Sequence, residues 1–93
     1  MHESWRIRVT GRVQGVGYRD ACVGRARALG LTGWVRNRSD ATVEALLQGT
    51  PDQLEDMLRW MRSGIATARV DDHAVQIEPS LERLRGFERL PTE

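Results

Sequence analysis

The stretch Gly11 to Arg19, reading GRVQGVGYR, sets three glycines and an arginine between an alternating apolar pattern and a helical one. Glycine permits backbone dihedrals that point successive N–H groups the same way, so such a loop forms a concave rim of donors suited to an anion. Arg19 adds a planar, permanently charged fork that matches the oxygens of a phosphate or a carboxylate. The combination points to a small enzyme that handles phosphate.

Three familiar versions of that chemistry fail on spacing. A Walker loop needs a lysine followed by a hydroxyl residue, and the chain has no lysine. A dinucleotide fingerprint needs a third glycine where Asp20 stands, and a parallel repeat where the next strand pair reads as a hairpin. A cysteine phosphatase needs an arginine six positions after its nucleophile, and Ala28 occupies that place after Cys22. Cys22 is then most simply a small core residue. Cys22, His2 and His73 offer no metal-ligand spacing, so no metal site is expected.

At 93 residues, 40% hydrophobic and 29% charged, the chain is expected to fold as one domain over residues 1–93 around one core. A net charge of +1 gives no bulk drive toward nucleic acid, whose binding rests on neutralising many phosphates. No run approaches the ~20 apolar residues of a membrane span, and the N-terminus alternates instead of forming an apolar signal segment. A cytoplasmic monomer with no nucleic-acid or membrane partner is the expectation.

The elements that must position the loop follow from periodicity. Trp5, Ile7 and Val9 alternate with Arg6, Arg8 and Thr10, the pattern of a strand with one face in a core and the other in water. Asp20 to Leu29 carries Cys22, Ala26 and Leu29 at helical spacing, with Gly30 as a stop. Thr32–Arg38 and Thr42–Gln48 read as strands of an antiparallel hairpin turned by Ser39, Asp40 and Ala41. A second helix starts at Pro51 after a Thr50 cap and runs to Gly64, with Leu54, Met57, Leu58 and Met61 on one stripe. His73, Val75 and Ile77 alternate as a fourth strand, with a bend at Asp71 and Asp72, and Gly86–Leu90 forms a short edge strand. The order β-α-β-β-α-β with both helices on one face of an antiparallel sheet is the α+β, ferredoxin-like sandwich. Right-handed crossovers place strands one and three at its centre.

GRVQGVGYR, followed eighteen positions after its arginine by the Asn37 of GWVRN, resembles the paired signature of the acylphosphatase family. The likeness extends through Val43 and Glu44, the Gly49-Thr-Pro helix start, Trp60-Met-Arg, Ala68-Arg69-Val70-Asp71 and Gly86-Phe87. It implies the ferredoxin-like fold and hydrolysis of carboxyl phosphates with no metal or other cofactor. By position, Arg19 matches the phosphate-binding catalytic arginine and Asn37 the asparagine that orients the attacking water. The amides of Gly15, Val16, Gly17, Tyr18 and Arg19 match the phosphate cradle. The implied partners are a small acyl phosphate as substrate and inorganic phosphate as product or inhibitor. Ala41 departs from the family's glycine after the hairpin aspartate; if that position takes a positive φ, it costs about 1 kcal/mol.

The bare readings of other polar residues are structural: His73 as a partly buried, hydrogen-bonded strand residue, and Asp71 and Asp72 as solvated carboxylates. Two competing functions share this element order. A carbamoyl-phosphate-handling module would open a longer polypeptide. An RNA-recognition domain needs stacking aromatics on its central strands; the third strand has none, and the alternation puts Trp5 with the core.

Overall fold

The computed structural model describes residues 2–79 and 82–93; Met1, Ser80 and Leu81, included in the single-domain expectation, lie outside the described residues. The elements run β1 (Glu3–Arg12), α1 (Tyr18–Ala28), β2 (Thr32–Asn37), β3 (Val43–Gly49), α2 (Pro51–Ser63), β4 (Arg69–Glu78) and β5 (Phe87–Arg89). The sheet order is β4-β1-β3-β2-β5, with β1 and β3 central as the crossover rule requires. Four strands pair antiparallel, but β5 joins β2 in parallel, so the sheet is mixed rather than antiparallel throughout.

Ile7, Val9, Val35, Val43, Ala45 and Leu47 form the sheet side of the core against Tyr18, Cys22 and Ala26 of α1 and Leu54, Met57 and Met61 of α2. α2 starts where expected because Thr50 and Gln53 form a reciprocal capping box, with Pro51 in the first turn. α1 begins two residues earlier than its apolar spacing suggests, because Gly17 in a left-handed conformation turns the chain directly into the helix.

The expected bend at the aspartates is instead a β-bulge. Thr10 pairs with Asp72 and Gly11 with Val70, leaving Asp71 as the extra residue, so β4 runs unbroken through the parity change. Its far end is less covered than its apolar alternation implies: Val75 is 38% and Ile77 64% exposed. β4 is an edge strand of the sheet, with β1 as its one neighbour, so its outer side lacks a further strand to cover it. His73 is half-buried, and its ring has no hydrogen-bond partner among the described residues.

The opposite face of the sheet is not simply wet. Glu44, on central β3, is only 3% exposed and lies among arginines of β1 and β2 and the turn after β2. Its carboxylate accepts from Arg6 at 3.1 Å, Arg36 at 2.8 Å and Arg38 at 3.0 Å. Burial raises its pKa, but the arginine hydrogen bonds outweigh that and hold it below the usual carboxylate value. Trp34 lies beneath Arg6 and Arg36, whose guanidinium carbons stand 5.6 and 4.6 Å from its ring centroid.

Candidate active site

Between β1 and α1 the chain crosses residues 13–17, with Gly15 at φ +74° and Gly17 at φ +80°. A Cβ at either glycine would meet nothing within 4 Å among the described residues, so the backbone angle, not lack of room, calls for glycine there. With Gly17 as N-cap, no side chain among the described residues caps the first-turn N–H groups of α1, in contrast to the fully capped α2. An uncapped helix start beside a glycine loop gathers free donors and the positive end of the helix dipole in one place.

The loop is held from three sides. Gln14 Nε2 donates to the carbonyls of Arg38 at 2.8 Å and Thr42 at 2.9 Å, tying the loop to the β2–β3 hairpin. Thr67 Oγ1 donates to the Val16 carbonyl at 2.9 Å. The buried Tyr18 hydroxyl donates to the Met61 carbonyl at 2.7 Å, so the first residue of α1 satisfies a carbonyl in the last turn of α2.

Asn37 ends β2 on the face of Val35, pointing toward the helix layer. Its backbone is fixed by pairing with Val43 on one side and by the Glu93 N–H at 3.0 Å on its carbonyl on the other. The hairpin closes through Ala41 N–H to the Arg38 carbonyl and Arg38 N–H to the Thr42 carbonyl. Ala41 takes φ +73°, the left-handed position of a three-residue hairpin loop, so the turn keeps its form and alanine bears the strain.

These parts converge. A cleft of about 210 Å³ is lined by Val13, Gly15, Gly17, Tyr18 and Arg19 together with Asp20, Asn37 and Arg89. Arg19 is half-buried and makes no side-chain hydrogen bond or ion pair among the described residues. Asn37 Oδ1 is buried and has no partner either. A free guanidinium and an asparagine with an orphaned, buried amide oxygen lining one cleft are unusual, since buried polar atoms are almost always satisfied. Of the residues expected at the site, Arg19, Asn37, Gly15, Gly17 and Tyr18 line the cleft, and Val16 is half-buried in the same loop.

The acylphosphatase family profile matches residues 5–89. The chain belongs to the acylphosphatase family. It is 54% identical over 90 residues to an acylphosphatase of Polaromonas naphthalenivorans, covering 96% of this chain and 89% of that protein. Acylphosphatase 1 of Ralstonia nicotianae is 56% identical over 87 residues, with 92% and 85% covered. The crystal structure of acylphosphatase from Bacillus subtilis superposes with a TM-score of 0.91 at 37% identity, covering 97% of this chain and 99% of that one. Hydrolysis of acyl phosphates is the activity of the acylphosphatase family, and this chain is a hydrolase of that class.

Within this acylphosphatase fold, sequence reading missed the residues that hold the site together. Gln14 lies inside the motif but its partners are more than twenty positions away. Tyr18 was read only for its amide, yet its ring is core; burial pushes its hydroxyl pKa well up, so it stays a donor. Arg89 carried no signal, because its place at the cleft depends on how β5 docks beside β2. Burial likewise pushes the Cys22 thiol well up, as suits an inert core residue.

Proposed function

We propose that this chain hydrolyses small acyl phosphates at the cleft between α1 and β2, with Arg19 and Asn37 as its catalytic side chains and no metal. The observation that carries the reading is the meeting of an uncapped helix start, a free Arg19 and the orphaned Asn37 Oδ1 around one cleft. The amides of Gly15 through Arg19 hold the phosphoryl oxygens, and the Arg19 fork neutralises charge spreading over them in the transition state. Asn37 Oδ1 accepts a hydrogen bond from a water and sets it in line with the bond to be broken.

The leaving group is a carboxylate, which departs at neutral pH without being handed a proton, so no general acid is required. The loose transition state of phosphoryl transfer asks for little activation of the nucleophile, so positioning by a neutral amide suffices. The product phosphate fits the same cradle and competes with substrate. Residues 1–93 act in this reading as one domain, a monomer in the cytoplasm. No helix among the described residues is long and apolar enough to cross a membrane.

Hydrolysis of benzoyl phosphate in ¹⁸O-labelled water, with a strong chelator present, tests the mechanism. The label is expected in inorganic phosphate at undiminished rate; label in the benzoate, or loss of activity with chelator, contradicts it.

A further inference from the structure

Arg89 is a second cation on the same cleft, and neither the motif nor the mechanism uses it. Its backbone is well held. Arg89 pairs with Val35 of β2, Phe87 anchors β5 in the core, and the Leu90 N–H donates to the Val35 carbonyl at 2.8 Å. Arg27 Nη2 also donates to the Phe87 carbonyl at 3.0 Å, fastening β5 to α1.

The Arg89 guanidinium spends one donor, Nη1, on Asp20 Oδ1 at 2.9 Å; its other donors have no partner among the described residues. The pair is exposed, with 49% of the Arg89 side chain and 72% of the Asp20 side chain accessible, and ion pairs this exposed are held weakly. The cleft therefore shows a guanidinium that already receives a carboxylate at its rim and can release or share it. Arg19, Arg89 and Asp20 together leave one net positive charge there. Arg19 is engaged by the phosphoryl group, so Arg89 is the cation available to the acyl half of a substrate.

We propose that Arg89 is a carboxylate subsite, and that the cleft favours acyl phosphates of dicarboxylic acids, whose second carboxylate displaces or shares the Asp20 contact. This rests on the acyl phosphate hydrolysis reading above. It makes Asp20 a competitor: an internal carboxylate occupies the subsite until substrate arrives, and removing it strengthens the preference.

The test compares kcat/KM for benzoyl phosphate and its 3-carboxy and 4-carboxy analogues, and reads the ratio of carboxylated to parent substrate. In Arg89→Ala the larger of the two ratios falls about tenfold, on the scale of a charged hydrogen bond. Arg89→Lys loses part of it, because a point charge lacks the fork. Asp20→Asn raises the ratio, and added salt lowers it in the wild type. Thermal midpoints of the variants report whether the fold is kept. Unchanged ratios in both Arg89→Ala and Asp20→Asn overturn the subsite while leaving the hydrolase reading intact. Failure of the wild type to hydrolyse even benzoyl phosphate overturns both.

Discussion

Replacing Gln14 with alanine removes two hydrogen bonds, at 2.8 and 2.9 Å, between the phosphate-loop segment and the hairpin that carries Asn37. The stability cost follows from what remains. The Arg38 carbonyl still accepts from Ala41 N–H and the Thr42 carbonyl from Arg38 N–H, so neither is orphaned. Two ordinary bonds at about 1 kcal/mol each give a loss of about 2 kcal/mol. The catalytic cost is larger, because Gln14 sets the distance between the cradle and the strand end that presents Asn37. Misplacement of a reacting group by about 1 Å costs on the order of a hundredfold. The expected result in steady-state hydrolysis of benzoyl phosphate is a kcat lowered between tenfold and a hundredfold, with KM changed much less. Urea unfolding supplies the stability side. A kcat within threefold of wild type would refute the argument that this side chain couples the two halves of the site.

Other perturbations test the scaffold. Ala41→Gly relieves the left-handed strain at φ +73° and is expected to stabilise by about 1 kcal/mol, raising the thermal midpoint by about 4–8 °C; a lowered midpoint would contradict the turn assignment. Glu44 is held below its ordinary pKa of 4.5, so its contribution is fully present above about pH 4.5 and fades as pH falls through the lower folded value. The urea midpoint should accordingly be flatter below pH 4.5 in Glu44→Gln than in wild type, and that variant should lose about 1–3 kcal/mol at pH 7 as its charge-assisted hydrogen bonds weaken, the loss being limited because Arg6 keeps Glu78 and Arg36 keeps Glu93. Tyr18→Phe deprives the Met61 carbonyl of its donor and is expected to cost about 1–3 kcal/mol in urea unfolding; a neutral effect would show that this carbonyl finds water.

What could be read from the sequence was what local rules control. The second helix was legible from the Leu54, Met57 and Met61 stripe with its Thr50 cap, and the central place of β1 and β3 from crossover handedness. The parity change at Asp71 was legible as a disturbance but not as a bulge, because the extra residue acquires meaning only against Thr10 and Gly11 of the neighbouring strand. The parallel docking of β5 and the burial of Glu44 depend on the pairing of distant strands, which no short window contains. At the candidate site, Arg19 and Asn37 were expected from their joint signature, and both line one cleft. Gln14, Thr67 and Arg89 were not, since each acts on a partner far along the chain.

The central claim is that a free arginine and an orphaned asparagine around one amide cradle perform the hydrolysis. The most direct measurement is kcat/KM for a small acyl phosphate with Arg19→Ala and Asn37→Ala beside wild type, under chelator, with the thermal midpoint of each recorded. Each folded variant is predicted to lose at least about a hundredfold, the scale of removing a preorganised donor from a charge-stabilising site. Near-wild-type turnover in both would contradict the account.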